Sequence, residues 1–271
     1  MIVKRRRGMF IKVECGRSGI DRLSGIKHRK FDHIEFIQTF CSDGNLLVDS
    51  HILPMRYGAV YIFDSEKPHC TSPSDPDSYI RNCVTVDRPY FDGLLRSTGA
   101  DEILHPLYEN GVYYTLPVKN SIPKVDSQFK KLQKLAKSNA STSDISLCLL
   151  ELLILLRDNS AVIDEPQSDQ GHIGRALEYI DQNYMSGIGT KEIAEHLHIS
   201  KHYLCHIFKQ HTGMTLTEYL LEKRLSASNE LLSGQNVSIR SIAAQLGFSS
   251  ESYFIAKYKE RYGVTPGKHR G

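Results

Sequence analysis

The six cysteines of this 271-residue chain, Cys15, Cys41, Cys70, Cys83, Cys148 and Cys205, form no CxxC pair. That spacing excludes the usual zinc-ribbon pattern and offers no disulfide framework. Cysteine used in this way fits a reducing compartment. Long apolar runs are missing too. The longest, residues 145–156, is broken by Ser146 and Glu151, and falls short of the roughly 20 residues that span a bilayer. Lys4-Arg5-Arg6-Arg7 is basic, but no apolar segment follows it, so no secretory signal is expected. A cytoplasmic protein with no membrane partner follows as the expectation. Charge of one sign is also scarce. The formal net charge is +3, so no broad basic surface is forced, and any polyanion would be held by local patches.

What the chain does have is an internal repeat in its last third. One copy reads Glu192-Ile193-Ala194-Glu195-His196-Leu197-His198-Ile199-Ser200, then Leu204 to Lys209, then Gly213-Met214-Thr215. The other reads Ser241-Ile242-Ala243-Ala244-Gln245-Leu246-Gly247-Phe248-Ser249, then Phe254 to Lys259, then Gly263-Val264-Thr265. The copies lie 49 residues apart before the turn and 50 after it, which one inserted residue explains. Ile193, Ala194 and Leu197 share one face of a short helix. Ala194 and Ala243 are small enough for two helices to approach closely. Gly247 suits the positive φ of a tight turn, a task His198 does less easily. Ser200 and Ser250 are placed to cap the next helix. Leu204, Ile207, Phe208, Phe254 and Tyr258 then point inward. Lys201, His202, Cys205, His206 and Lys209 point outward in the first copy, and Glu251, Ser252, Ile255, Ala256 and Lys259 in the second. This is the pattern of two helix-turn-helix units, each presenting its second helix.

Residues 215–232, between the copies, contain no Pro and no Gly. Tyr219, Leu220, Leu225, Leu231 and Leu232 suit one long helix of about 27 Å. That length is close to the ~34 Å between successive major-groove faces of B-DNA.

The run Ile239-Arg240-Ser241-Ile242-Ala243-Ala244-Gln245-Leu246-Gly247-Phe248-Ser249-Ser250-Glu251-Ser252-Tyr253-Phe254, with Tyr258-Lys259, Gly263-Val264-Thr265-Pro266 and Arg270, resembles the signature of the AraC/XylS family of bacterial transcription regulators. The resemblance covers about 100 residues, 171–271. It implies a seven-helix DNA-binding domain. It also implies base reading from Lys201, His202, Cys205 and His206, and from Glu251, Ser252, Ile255 and Ala256. Many family members carry a polar residue at the position of Ala256. An alanine can touch a thymine methyl but cannot bond guanine, so the second reader is expected to grip more than it reads. Lys209, Lys257, Lys259 and Arg261 are the phosphate-contact candidates. From Ser168 onward there are twelve Lys and Arg against ten Asp and Glu, a modest balance for a DNA binder.

Residues 9–116 read as short strands rich in Ile, Val, Tyr and Phe: 34–40, 46–48, 57–63, 80–86 and 113–114. Ser42-Asp43-Gly44-Asn45 and residues 72–77 supply turns. Many short strands with polar turns suggest a small barrel or jelly roll, which the resemblance makes a cupin-like, ligand-sensing barrel over 1–118. His28, His33, Glu35, Tyr61, His69, Arg81 and Asn82 are the candidate effector-pocket residues. His33-Ile34-Glu35 with His69 is only part of a cupin metal set, and His-x-His is absent. No metal and no cofactor are therefore expected.

Residues 119–160 change to helical spacing. Val125, Phe129, Leu132 and Leu135 mark one helix. A second, from 147 to 156, is apolar nearly all round and capped by Ser143 or Asp144. Such a helix must be covered on several sides, by the barrel and by a second subunit, as relatives commonly dimerise here. Residues 161–170 read as a linker. A helix from His172 to Asn183 then opens the C-terminal domain.

The combined expectation is a multidomain α+β protein, non-enzymatic and homodimeric. It would bind double-stranded DNA as a sequence-specific transcription regulator controlled by a small molecule, sugars among the candidates, and would meet RNA polymerase where it activates. The alternatives are a constitutive DNA binder whose barrel serves only dimerisation, and a cupin enzyme fused to a DNA-binding domain.

Overall fold

The computed structural model describes residues 2–6, 9–18, 33–138, 140–161, 171–233 and 237–270. The first half runs β1 (Ile2–Arg6), β2 (Met9–Ser18), β3 (His33–Thr39), β4 (Gly44–Val48), β5 (His51–Pro54), β6 (Val60–Asp64), β7 (His69–Pro73), β8 (Ile80–Asp87), α1 (Arg88–Thr98), α2 (His105–Asn110), β9 (Val112–Pro117), α3 (Ile122–Lys137), α4 (Thr142–Asn159) and β10 (Ser160–Ala161). A seven-stranded antiparallel sheet of order β1-β2-β8-β3-β6-β9-β10 faces a three-stranded sheet of order β5-β4-β7.

Strand alternation sends side chains to two different cores. Ile37, Leu46, Val48, Leu53, Ala59, Tyr61, Phe63 and Val112 fill the space between the sheets. Ile11, Val13, Ile34, Phe36, Val60, Ile62, Val84 and Val86 face the other way, onto Phe91 and Leu95 of α1, Val125, Phe129 and Leu132 of α3, and Leu149, Leu152 and Leu156 of α4. The barrel-like half expected from the sequence is present, but residues 88–110 are largely helical rather than stranded. Asp87 caps α1 by accepting from the Tyr90 N–H at 3.4 Å, and Pro89 sits in its first turn. Both are helix-start chemistry.

Helix α4 is capped by Ser141 rather than by Ser143 or Asp144. The Ser141 N–H donates to Asp144 Oδ2 at 2.8 Å, and the Asp144 N–H donates to Ser141 Oγ at 3.1 Å, a reciprocal box. The helix buries one face and leaves Leu147 and Ile154 exposed on the other. The expected linker lies outside the described residues except for Ala161, which pairs with Leu116 as the end of the large sheet.

The second half is helical: α5 (His172–Asn183), α6 (Thr190–His196), α7 (Lys201–Thr212), α8 (Leu216–Ser233), α9 (Ile239–Gln245), α10 (Glu251–Tyr262) and α11 (Pro266–Arg270). Two apolar clusters hold it. Ile173, Leu177, Ile193, Leu204, Phe208 and Tyr219 form the first, which also takes in Leu47 and Cys70 from the three-stranded sheet. Leu225, Leu232, Ile242, Leu246, Phe254 and Tyr258 form the second. The small sheet thus lends Leu47, Cys70 and the half-buried Ile52 to the first helical cluster and none to the second.

Candidate nucleic-acid interface and barrel interior

The two repeats fold alike, down to their hydrogen bonds. In the first turn, the His198 N–H reaches Glu195 O and the Ile199 N–H reaches Ala194 O, each at 3.1 Å. In the second, the Gly247 N–H reaches Ala244 O at 3.1 Å and the Phe248 N–H reaches Ala243 O at 3.0 Å. His198 and Gly247 both adopt positive φ, 55° and 70°. The histidine accepts a conformation that glycine takes without steric cost. At Gly247 a Cβ would also lie 2.6 Å from the Gly187 backbone nitrogen, so glycine there also serves a close approach between the two units. Ser200 Oγ accepts from the Tyr203 N–H at 3.1 Å, and Ser250 Oγ from the Tyr253 N–H at 3.2 Å. Gly213 and Gly263 close α7 and α10 in the left-handed conformation.

With one side of α7 and α10 packed inward, the other is fixed. Lys201, His202, Tyr203, His206, Lys209 and Gln210 are exposed on α7, with Cys205 half-buried. On α10, Ser252, Tyr253, Ala256 and Lys259 are exposed, while Glu251, Ile255 and Lys257 are half-buried. Lys257 pairs with Glu260 at 2.8 Å. Arg261 is placed otherwise than expected. Its Nε donates to Glu222 Oε2 at 2.7 Å, and both side chains are more than four-fifths buried. It clamps α10 to α8 and has no open face for a phosphate. Arg224 is used similarly, donating to the carbonyls of Tyr184 and Ile188 at 2.8 and 2.9 Å.

Two matched pairs were missed in the sequence. Lys191 and Arg240 occupy equivalent positions in the first turns of α6 and α9, and both are exposed. Tyr203 and Tyr253, also equivalent, are exposed aromatics on α7 and α10. The repeat itself carried the signal for both pairs.

The residues expected to line one pocket in the barrel are dispersed. His28 lies outside the described residues. Tyr61 belongs to the packed middle, its hydroxyl donating to Pro54 O at 2.8 Å and its ring stacked on Tyr114 at 4.9 Å. Arg81 is four residues along β8 from Thr85, the partner of Glu35, and lies over the Tyr79 ring. Asn82 faces the helices and not the interior: its Nδ2 donates to Gln38 and to Asp126 of α3, and its Oδ1 accepts from the Gly16 N–H. An even position on β8 faces away from the odd ones, so Asn82 could not share a pocket with Arg81 and Cys83.

His33, Glu35 and His69 do gather at one end. Glu35 Oε1 accepts from Cys83 Sγ at 3.0 Å. Burial, and then the Glu35 charge, hold the Cys83 thiol well above its usual pKa, so it remains a donor. Glu35 Oε2 is buried without a hydrogen-bond partner among the described residues, and His69 Nε2 lies 3.8 Å from it. That is too long for a direct bond, but a hydroxyl beside the two atoms could bond both. His69 Nδ1 is 2.8 Å from Lys67 O. A carbonyl only accepts, so Nδ1 carries a proton. Among the described residues no group of three or more His, Cys, Asp or Glu is arranged to hold a metal ion, and no helix is long and apolar enough to cross a membrane.

Residues 193–271 match the family model described as "Helix-turn-helix domain". The chain is similar to "Regulatory protein PocR" of Salmonella typhimurium, 27% identical over 55% of this chain and 54% of the relative. It is also similar to "Msm operon regulatory protein" of Streptococcus mutans, 24% identical over 84% and 80% of the two chains. The match thus spans about half the length of the first relative and four-fifths of the second. Among solved structures, the C-terminal domain of the two-component response regulator yesN from Fusobacterium nucleatum is 33% identical over 35% of this chain and 94% of that one, with a TM-score of 0.34.

Proposed function

The C-terminal helix-turn-helix domain of this chain is of the AraC/XylS type, and from that premise we propose that the whole protein is a sequence-specific transcription regulator governed by a small molecule. The observation that carries the proposal is the pair of turn-and-helix units, joined by α8, whose turn bonds and serine caps match and whose second helices each keep an exposed face. In this reading Lys201, His202, Cys205 and His206 meet base edges from α7. Glu251, Ser252, Ile255 and Ala256 make the second, less discriminating reader. Lys209, Lys257, Lys259, Lys191 and Arg240 hold phosphates, which set register without reading sequence.

The strand-rich half acts as the sensor. Glu35 and His69 are its best-supported effector contacts. A buried carboxylate oxygen lacking a donor favours a ligand that supplies hydroxyl or amine hydrogens, sugars included, over an organic acid, whose charge it would repel. Two subunits meet through α3 and α4, where Leu147 and Ile154 are exposed beside a groove of about 650 Å³ lined by Gln128, Glu151 and Leu155. The protein works in the cytoplasm on double-stranded DNA, contacts RNA polymerase where it activates, and performs no catalysis of its own.

The test is selection of bound sequences from random DNA with the full chain, followed by footprinting at two salt concentrations. Two elements about ten base pairs apart are expected. Enrichment of nothing, with and without a panel of sugars and amines, would sink the proposal.

A further inference from the structure

The two halves are joined by more than apolar packing. Lys223, near the middle of α8, is buried, yet it is an ammonium between two carboxylates: Asp49 Oδ1 at 2.6 Å and Asp181 Oδ1 at 2.5 Å. Burial works against its charge, but Asp49 and Asp181 outweigh this and raise its pKa. Asp49 belongs to the sensor, in the two-residue turn between β4 and β5, with φ at 49°. Its carbonyl accepts from the Tyr219 hydroxyl at 2.9 Å, one turn before Lys223 on the same helix. Further along α8, Asn229 donates to Glu66 of the β6–β7 turn at 3.2 Å. That asparagine also bonds the Tyr258 and Tyr262 hydroxyls of α10, at 2.7 and 3.0 Å. The sensor thus grips α8 at two places, one by the first reader and one by the second.

Both grips come from the barrel end that holds Glu35 and His69. The Asp49 N–H donates to Pro68 O at 2.7 Å, and Pro68 immediately precedes His69. Val48 and His69 are register partners across β4 and β7. A change of position at His69 therefore meets the Asp49 turn directly.

We propose that Asp49 and Glu66 are positioning residues for DNA reading: together they set α8, and with it both recognition helices, against the sensor. The claim rests on α7 and α10 being the readers. Neither carboxylate lies on a reading face. In this arrangement Lys201, His202, His206, Ser252, Ala256 and Lys259 are all exposed, so the grip holds the readers open rather than covering them. Loosening it should cost specific binding. A buried charge pair of this kind adds little net stability over apolar packing, and its better-attested use is to fix one geometry.

The experiment uses the full-length chain as wild type, Asp49→Asn, Glu66→Ala and the double variant. Asparagine tolerates positive φ and leaves Lys223 paired with Asp181, so the turn should persist. The Kd for the operator selected by the wild type is compared with the Kd for random DNA. Amide exchange of residues 216–233 is followed by mass spectrometry. The expected result for the double variant is faster exchange in α8, a roughly five- to tenfold weaker operator affinity and an unchanged affinity for random DNA. Faster exchange with an unchanged operator Kd would reduce the two residues to structural contacts and overturn the proposal. Equal losses on both DNAs would do so too. If the wild type selects no operator, the reading of α7 and α10 has failed, and this inference falls with it.

Discussion

The two helix-turn-helix units share a frame and differ most at the first two turns of their second helices. Turn hydrogen bonds, serine caps and glycine ends repeat from one to the other. The outward faces repeat only in part, Tyr203 with Tyr253 and Lys209 with Lys259; elsewhere the first carries three imidazoles or ammoniums in its first two turns, the second a carboxylate, a hydroxyl and a methyl. Their surroundings differ as well. The first unit shares its core with the sensor through Leu47 and Cys70, whereas the second keeps a core of its own. The frame is therefore what folding requires, and the faces and docking edges are free to diverge once the frame is met.

The largest test of that contrast lies in the cores. Phe208 in the first core and Phe254 in the second are both fully buried, so alanine at either should cost about 3–5 kcal/mol in urea unfolding. Only Phe208→Ala should also release the sensor, read as new protease cuts between the halves. Equal cutting in both variants would erase the difference in docking.

Arg261→Ala should cost roughly 2 kcal/mol of stability, because Glu222 loses its charged donor, while leaving the salt dependence of DNA binding unchanged. Lys209→Ala should do the reverse, lowering the slope of log K against log salt by about 1. A reduced slope in the Arg261 variant would restore it as a phosphate contact.

On the faces themselves, His206→Ala should weaken operator binding by roughly 1–3 kcal/mol with random DNA barely affected. Ala256→Gly should change it by less than about 0.5 kcal/mol, since little is removed. A large effect at Ala256 would make the second helix a reader in its own right.

The smallest test compares the caps. Ser200→Ala and Ser250→Ala should each cost about 1 kcal/mol in thermal or urea unfolding. A clear inequality would mean that the frames are less alike than their hydrogen bonds.

The repeats were legible in the sequence because their determinants are local. Cap, glycine and the i, i+4 apolar spacing all act within one turn of where they are written, so α5, α8 and both turns fall where expected, and His198 takes the strained φ foreseen for it. What depends on register or on distant partners was not legible. Helix α1 has its own cap and proline, yet it sits between strands, and its tyrosine and phenylalanine read equally well as strand residues. Asn82 was separated from its supposed pocket by strand parity alone. Arg261 looked like any surface arginine until Glu222 was placed beside it, and nothing near Asp49 in the chain announces Lys223.

The pairing pattern of the two halves also bears on the order in which they form. The turn bonds and helix caps of the helix-turn-helix units are made between near neighbours in the chain. The sensor must bring Ile11 opposite Val86 and Ser160 opposite Pro117 before its large sheet is complete. Closing long loops slows folding, and local contacts speed it. On dilution from denaturant, far-ultraviolet helicity should return ahead of the sensor's tyrosine signal. The salt link at Asp49 should come last, because its turn exists only once β4 and β5 have paired. For that interval the refolding chain carries both helix-turn-helix units without the strand-rich half fastened to α8.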